Sequence, residues 1–276
     1  MIAEPRLEAV VDLYPWKPSL ALVRALEWRG AHAHRAALAP PVLDLGCGDG
    51  RIGHVFFGGR DRVGLDRDPA ALAEGHGLMR CRVCGDARAL PLRAGTFGTV
   101  FANCAIEHFD EIGRCLAECA RVLRPRGVLL ATVPSGAWKD LYVWNRVLGR
   151  LGLPRLGRRV VDAHDRRMHH VNLLSGERWG ALLRAAGLEP VAFDPYLPPA
   201  GALFVTLLES ILSRPFPAPG FWKESGTYYV LIGALRRLGG AALWKGLALR
   251  AIRPLYAQPV GPDGLAAGTL IVARRP

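Results

Sequence analysis

Short apolar runs alternate with amphipathic ones through the first half of the chain. Runs of four to seven residues rich in Val, Leu and Phe occur at 42–45 (VLDL), 63–66 (VGLD), 82–86 (RVCGD), 99–103 (TVFAN) and 127–133 (GVLLATV). Each is too short for a helix and is bounded by Gly, Pro or polar residues, which predicts strands. Between them, apolar positions recur at three and four residues, most clearly in DEIGRCLAECARVL (110–123), which RPRG closes. Strands alternating with helices predict an α/β fold with a doubly wound, mostly parallel sheet covered on both faces. Upstream, SLALVRALEWRGAHAHRAAL (19–38) has helical periodicity and stops at APP.

Beyond Val133 the rhythm changes. Residues 135–170 read as a polar, Trp- and Arg-containing connection. SGERWGALLRAAGLEP (175–190) reads as a helix with Ser175 as N-cap and Gly187 as its stop. VAFDPYL (191–197) and GTLIVARR (268–275) supply a sixth and a seventh strand, with an apolar block at 199–260 interrupted by SRPFPAPG (213–220). The expected division is an N-terminal helical segment (1–40), a core (41–198) with a covering connection (135–175), an apolar helical insertion (199–260) and the last core strand (261–276).

Composition narrows the possible partners. The net charge of +12 suggests nucleic acid, but 32 of the 36 basic residues are arginines spread along the chain. That bias follows from a GC-rich genome without selection for binding, so no nucleic-acid partner is expected. Cys81-x-x-Cys84 resembles half a zinc site, yet positions three apart on a strand point to opposite faces and no second pair follows. No metal is expected, and the six cysteines read as reduced, packed thiols. The N-terminus lacks a basic segment followed by an apolar run, and no stretch reaches about 18 uncharged apolar residues. The expectation is a cytoplasmic protein. The block 199–260, with isolated Arg236, Arg237, Lys245 and Arg250, is read in two ways: as a lid in peripheral contact with the inner face of the membrane, or as packing on the core or on a second copy of the chain.

The chemistry lies at the strand ends. In an open parallel sheet, ligands sit beyond the carboxyl ends of the strands. Asp44 followed by Gly46, Cys47 and Gly48 ends the first strand, and Asp66, with Arg67 after it, ends the second. Asp86 and Ala87 follow the third, and Asn103 closes the fourth, just before Glu107 and His108. Gly48-x-Gly50-x-x-Gly53 has the spacing of a dinucleotide turn. A pyrophosphate, however, prefers bare amides at a helix N-terminus, and an acid at the end of the first strand would oppose it. Three acids at successive strand ends suit a ligand with a cationic amine, a ribose diol and an adenine. Asp44 would orient the amine, Asp66 would accept from the ribose hydroxyls, and Asp86 would accept from the adenine amino group beside the Ala87 amide.

With these residues the sequence resembles the class I S-adenosylmethionine-dependent methyltransferases that act on small molecules and lipids. The resemblance rests on VLDLGCGDGRIG, VGLDRDPAAL, CGDARALPLRAGTFGTVFANCAIEHFDE, CLAECARVLRPRGVLLATVPS and HHVNLLSGERWGALLRAAGLEPV, in the family's order across roughly residues 20–197. It implies a seven-stranded sheet whose last strand runs antiparallel between the fifth and sixth, and S-adenosylmethionine as cofactor. The implied binding set is Asp44, Gly46, Cys47, Gly48, Asp66, Arg67, Asp86, Ala87 and Asn103. One departure stands in TFGTV, where Gly98 occupies a position that often carries an acid in this group. His108, just past the fourth strand, is the candidate general base for a hydroxyl or carbon-acid acceptor, against a capping or packing role in its loop. His169 and His170 are candidates to touch the acceptor. The expected activity is methyl transfer to oxygen or carbon of a small-molecule or lipid-like acceptor. The alternatives are a non-catalytic binding module on the same fold and, with less to support it, an RNA methyltransferase.

Overall fold

The computed structural model describes residues 2–15, 17–58, 61–212, 233–234, 236–261 and 264–276. Seven strands form one sheet: β1 (Val42–Leu45), β2 (Arg62–Asp66), β3 (Cys81–Cys84), β4 (Phe97–Asn103), β5 (Leu123–Pro134), β6 (Glu189–Pro195) and β7 (Gly268–Arg274). Their order is β3-β2-β1-β4-β5-β7-β6, with β7 antiparallel to both neighbours and the remaining pairs parallel. This is the doubly wound topology expected, including the antiparallel last strand.

The helices are α1 (Leu7–Leu13), α2 (Pro18–Ala33), α3 (Arg51–Phe57), α4 (Pro69–Glu74), α5 (Ile112–Val122), α6 (Trp138–Leu141), α7 (Val143–Arg150), α8 (Pro154–Met168), α9 (Gly176–Ala185), α10 (Pro199–Leu212) and α11 (Ala241–Ala257). Strand alternation sends side chains into two cores. Val128 and Leu130 of β5 join Leu270 and Val272 of β7 in the core shared with α1, α2, α10 and α11. Leu129, Ala131, Ile271 and Ala273 point the other way, onto Leu116 and Cys119 of α5 and Trp179 and Leu183 of α9. Buried on both faces, the central strands are near-continuous apolar runs, which is why short windows of sequence revealed them.

Three features differ from the sequence expectation or refine it. Residues 135–170, read as a polar connection, contain three helices. Pro154 opens α8, and Gly157 and Val161, four apart, are its buried face. A Cβ on Gly157 would lie 2.9 Å from Oδ1 of Asn145, so α7 and α8 cross closely there. Gly98 is glycine because the chain entering β1 runs over it: a Cβ would stand 2.4 Å from the Ala39 carbonyl oxygen. The described parts of 199–260 pack with the N-terminal helices. Ala202 and Val205 of α10 and Ala248 and Ile252 of α11 are buried, Lys245 pairs with Asp12 at 2.6 Å, and Arg253 pairs with Glu8 at 2.7 Å. The SRPFPAPG interruption and the start of the second apolar stretch, 226–232, lie outside the described residues. Among the described residues, no helix is long and apolar enough to cross a membrane.

Candidate functional site

A cavity of about 350 Å³ opens at the carboxyl ends of β1, β2, β3 and β4, within the range of small-molecule and cofactor sites. Of the residues singled out from sequence, Gly46, Asp66, Arg67, Asp86, Ala87, His108 and His169 line it. Asp44, Cys47, Gly48 and Asn103 are not among its lining residues.

Asp44, expected to orient the ligand's amine, is placed differently from the other strand-end acids: its side chain is 2% exposed, pairs with Arg62 Nη1 at 2.5 Å and is not among the residues lining the cavity. Burial pushes its carboxyl up to about 6, against the pull of the guanidinium. Arg62 also donates to the carbonyls of Gly58, Gly50 and Leu78, at 3.1, 2.9 and 2.7 Å. One buried guanidinium thus ties β1, the glycine loop and the segment before β3 together. The same contact explains the glycine spacing. A Cβ on Gly53 would fall 2.0 Å from Asp44 Oδ2 and 2.6 Å from Arg62 Nη1, and one on Gly50 would fall 2.0 Å from Met79 Cε. The Gly48-x-Gly50-x-x-Gly53 pattern therefore accommodates an ion pair and a methionine, with no phosphate required. Cys47 faces Leu72 and Met79, and burial pushes its thiol up.

Gly46 carries the close approach at the cavity wall. Its φ is +67°, and a Cβ would lie 2.6 Å from Ala105 Cβ, so only glycine lets the loop pass the end of β4. Asp66 fixes this loop from below: Oδ2 accepts from the Gly48 amide at 2.8 Å and Oδ1 from the Asp68 amide at 2.9 Å. Each oxygen keeps a further lone pair for a ligand hydroxyl. Asp86 is held by Arg88, whose Nη2 donates to Oδ2 at 2.6 Å and whose Nε reaches both oxygens. These bonds and the Arg88 backbone amide hold the Asp86 carboxyl down at about 2. Both side chains are more than two-fifths exposed, so the pair contributes little to stability and is free to rearrange around a ligand. Arg88 was missed at the sequence level, although Asp86-x-Arg88 is a spacing that permits this clasp.

Beneath the end of β4 lies a polar hub that the sequence did not reveal. Glu27 of α2 is fully buried and accepts from Arg24 Nη1 (2.8 Å), Asn103 Nδ2 (2.8 Å), the Cys104 thiol (3.0 Å) and the Tyr196 hydroxyl (3.0 Å). Asn103 also donates to Thr132 Oγ1 at 2.7 Å. Its side chain therefore locks β4 to β5 and α2, while its neighbours Cys104 and Ala105 line the cavity. The available signal was a single acid among the mostly apolar buried residues of α2.

His108 ends a short 3₁₀ turn (Ile106–His108) and forms one side of the cavity. Its Nδ1 lies 3.0 Å from the His169 carbonyl, which can only accept, so Nδ1 carries the proton and Nε2 holds the lone pair. Burial pushes its pKa below 6.5, and the ring stacks on His170 with centroids 5.4 Å apart. The turn is clasped by the strip after α8. The Glu107 carbonyl accepts from the amides of Val171 and Asn172, both at 2.9 Å, and Asn172 Nδ2 donates to the carbonyls of Ile106 (3.0 Å) and Phe109 (2.7 Å). Asn172 sits inside a motif stretch but had been given no role.

Glu107 beside it is buried, one carboxyl oxygen has no partner, and burial pushes the group up to about 8. The folded state therefore holds a proton that the unfolded chain releases above about 4.5. Stability from this group is full below pH 4.5, declines as pH rises through 8, and is flat beyond. Glu107→Gln, which cannot ionise, removes that slope, on the order of 1 kcal/mol per pH unit. Its melting temperature relative to the unmodified chain rises from pH 5 to pH 8 in thermal denaturation; parallel pH profiles would contradict the assignment.

Comparison with known proteins agrees with this geometry. The family described as methyltransferase domain matches residues 43–131, from β1 into β5. A malonyl-[acyl-carrier protein] O-methyltransferase of Methylococcus capsulatus is 36% identical over 174 residues, covering 57% of this chain and 56% of its own length. A demethylmenaquinone methyltransferase of Mycobacterium marinum is 32% identical over 146 residues, covering 51% of this chain and 63% of its own. The chain spans about half the length of the first curated relatives it matches, 51% and 56% for two malonyl-[acyl-carrier protein] O-methyltransferases. A solved structure from Thermotoga maritima, a SAM-dependent methyltransferase described as a possible histamine N-methyltransferase, aligns with a TM-score of 0.53. It covers 98% of this chain and 100% of that one at 15% identity, a likeness of fold.

Proposed function

We propose that this chain, which carries a class I S-adenosylmethionine-dependent methyltransferase domain, transfers a methyl group to oxygen or carbon of a small-molecule or lipid-like acceptor. The observation that carries the reading is His108: a neutral imidazole with Nδ1 anchored and Nε2 basic, in the same cavity as two strand-end carboxylates.

The cavity residues fit the cofactor. Gly46 leaves its backbone bare at the wall, Asp66 retains acceptor capacity for a ribose diol, and Asp86 with the Ala87 amide suits the polar edge of an adenine. When bound, S-adenosylmethionine supplies an electrophilic methyl group on a sulfonium. The chain's own contribution is alignment in a closed site and handling of the acceptor proton. His108 Nε2 accepts that proton from a hydroxyl or acidic carbon, while the Nδ1–H···O bond to His169 keeps the ring from turning. The resulting imidazolium lies 3.8 Å from Glu107 Oε1.

The test is transfer of radiolabelled methyl from S-adenosylmethionine to a panel of phenols, quinols and malonyl thioesters, read in the organic extract. His108→Ala lowers the rate on an oxygen or carbon acceptor by about 10²–10⁴. In the unmodified chain, ¹⁵N NMR places the His108 proton on Nδ1 with its titration below pH 6.5. An Nε2-protonated ring, or titration above that value, would rule out the base.

A further inference from the structure

The apex of the α7–α8 hairpin combines protruding apolar side chains with unpaired arginines. Leu151 is 68% exposed, and Trp144, Val147, Leu153 and Leu156 are also exposed. Arg150, Arg155, Arg158 and Arg159 are exposed among them, and Arg146 is half-buried. No Asp or Glu occurs from 141 to 161, so this stretch, α7 with the first half of α8, carries five positive charges and no negative one. None of the five arginines has an ion-pair partner among the described residues; the acids at either end of this stretch are Asp140 and Asp162, and Asp162 is taken by Lys139 at 2.8 Å. The apolar side chains do not belong to the fold. The inward face of α8 is already filled by Gly157, Val161 and Asp165.

We infer that this hairpin is a docking surface for an anionic lipid bilayer. Leu151 and Leu153 flank Gly152 in the turn between α7 and α8, and Leu156 lies in the first turn of α8. Arg150 and Arg155 stand beside them in sequence, Arg158 and Arg159 lie about one turn further along α8, and Trp144 lies further back on α7. Exposed aliphatic side chains set among guanidinium groups, with an indole behind them, suit acyl chains, phosphates and the headgroup boundary. An acidic protein would satisfy the arginines but leave Leu151, Leu153 and Leu156 protruding without need. Charge complementarity is with anionic headgroups, each basic residue near such a surface strengthening association roughly fivefold. A second exposed stripe, Leu238, Leu243 and Leu247, adjoins residues outside the described set, and of the cations near it Lys245 and Arg253 are already paired with Asp12 and Glu8. From the apex, α8 runs about 22 Å to Met168, which lines the cavity. A lipid-like acceptor held by its tail in the bilayer would thus have a structural path toward His108.

The inference goes beyond methyl transfer and fails separately from it, because vesicle binding is read without cofactor. The full chain is sedimented with vesicles of phosphatidylcholine alone and with about 30% phosphatidylglycerol, at low and high salt. The expected result is at least tenfold tighter binding to the anionic vesicles, lost at high salt. Leu151→Ser/Leu153→Ser/Leu156→Ser weakens binding at least tenfold, and Arg155→Glu/Arg158→Glu/Arg159→Glu abolishes the preference for anionic lipid. Leu243→Ser/Leu247→Ser on α11 leaves both unchanged. Unaltered melting temperatures and S-adenosylmethionine affinity in the hairpin variants establish that they are folded. Absence of vesicle binding, binding insensitive to the hairpin variants, or binding to soluble polyglutamate in place of vesicles would each overturn the proposal.

Discussion

Arg62→Met lowers the stability of the protein by about 3–5 kcal/mol, a fall in melting temperature on the order of 10 °C. The size follows from what the guanidinium leaves behind. Asp44 remains 2% exposed with no cation, and the carbonyls of Gly50 and Leu78 each lose a donor. An uncompensated buried charge is among the few single changes that cost this much. The loss depends on pH in a stated direction. The Asp44 carboxyl is already raised to about 6 with Arg62 in place, and without it rises further. Protonation relieves the defect, so the variant is closest to the unmodified chain near pH 4 and falls away as pH increases. Asp44→Leu/Arg62→Met recovers much of the loss, since removing both charges leaves no buried ion to solvate. Thermal melts of the four proteins at pH 5 and pH 8 close the cycle; equal destabilisation by the single and double variants would contradict it.

Asp66→Ala weakens binding of S-adenosylmethionine by about 100-fold. Two hydrogen bonds that a carboxylate accepts from a ribose diol are worth roughly 3 kcal/mol together, and each 1.4 kcal/mol is a factor of ten. The same change frees the Gly48 and Asp68 amides, which Asp66 now holds at 2.8 and 2.9 Å, so the glycine loop loses its support as well. Asp66→Asn retains one carbonyl acceptor and falls between the two. Because Asp66 is half-buried and outside both cores, its replacement lowers the melting temperature far less than Arg62→Met does. Calorimetric titration distinguishes this from the Arg62 defect: affinity is lost in one case and stability in the other.

The contrast between Asp44 and Asp66 marks how far the sequence could be read. Both are acids at strand ends, 22 residues apart, and as a linear pattern they are equivalent. What separates them is pairing across the sheet. Asp44 lies opposite Gly64 in the β1–β2 register, its carboxylate takes the room that the missing side chain of Gly53 leaves, and Arg62 enters β2 at the other end with its guanidinium under the loop. A long side chain folding back beneath a neighbouring strand has no signature in sequence. The sheet itself was legible because its strands are buried on both faces and its turns are punctuated by Gly and Pro. The helices of 135–170 were not, because their apolar positions are diluted by arginines that face solvent. Glu27 was hidden for the opposite reason: one buried acid in an apolar helix looks like a surface residue until Asn103, Cys104 and Tyr196 converge on it.

The site divides along the same line. Residues placed by the backbone around them, Gly46, Asp66, Asp86 and His108, were singled out from spacing and position, and all four line the cavity. Residues whose role is to hold those in place, Arg62, Arg88, Glu27 and Asn172, emerged only with three-dimensional contacts. Each of the latter is a polar side chain satisfying groups distant in sequence, so its function is defined by partners the sequence does not reveal.

The most direct test of the central claim is a calorimetric titration of the unmodified chain with S-adenosylmethionine, run beside a nicotinamide dinucleotide. The account predicts one site of micromolar affinity for the first and no heat for the second, because the glycine loop is filled by Arg62 and Met79 where a pyrophosphate would need open amides. Folded protein that gave no heat with S-adenosylmethionine, or that bound the dinucleotide in its place, would contradict it.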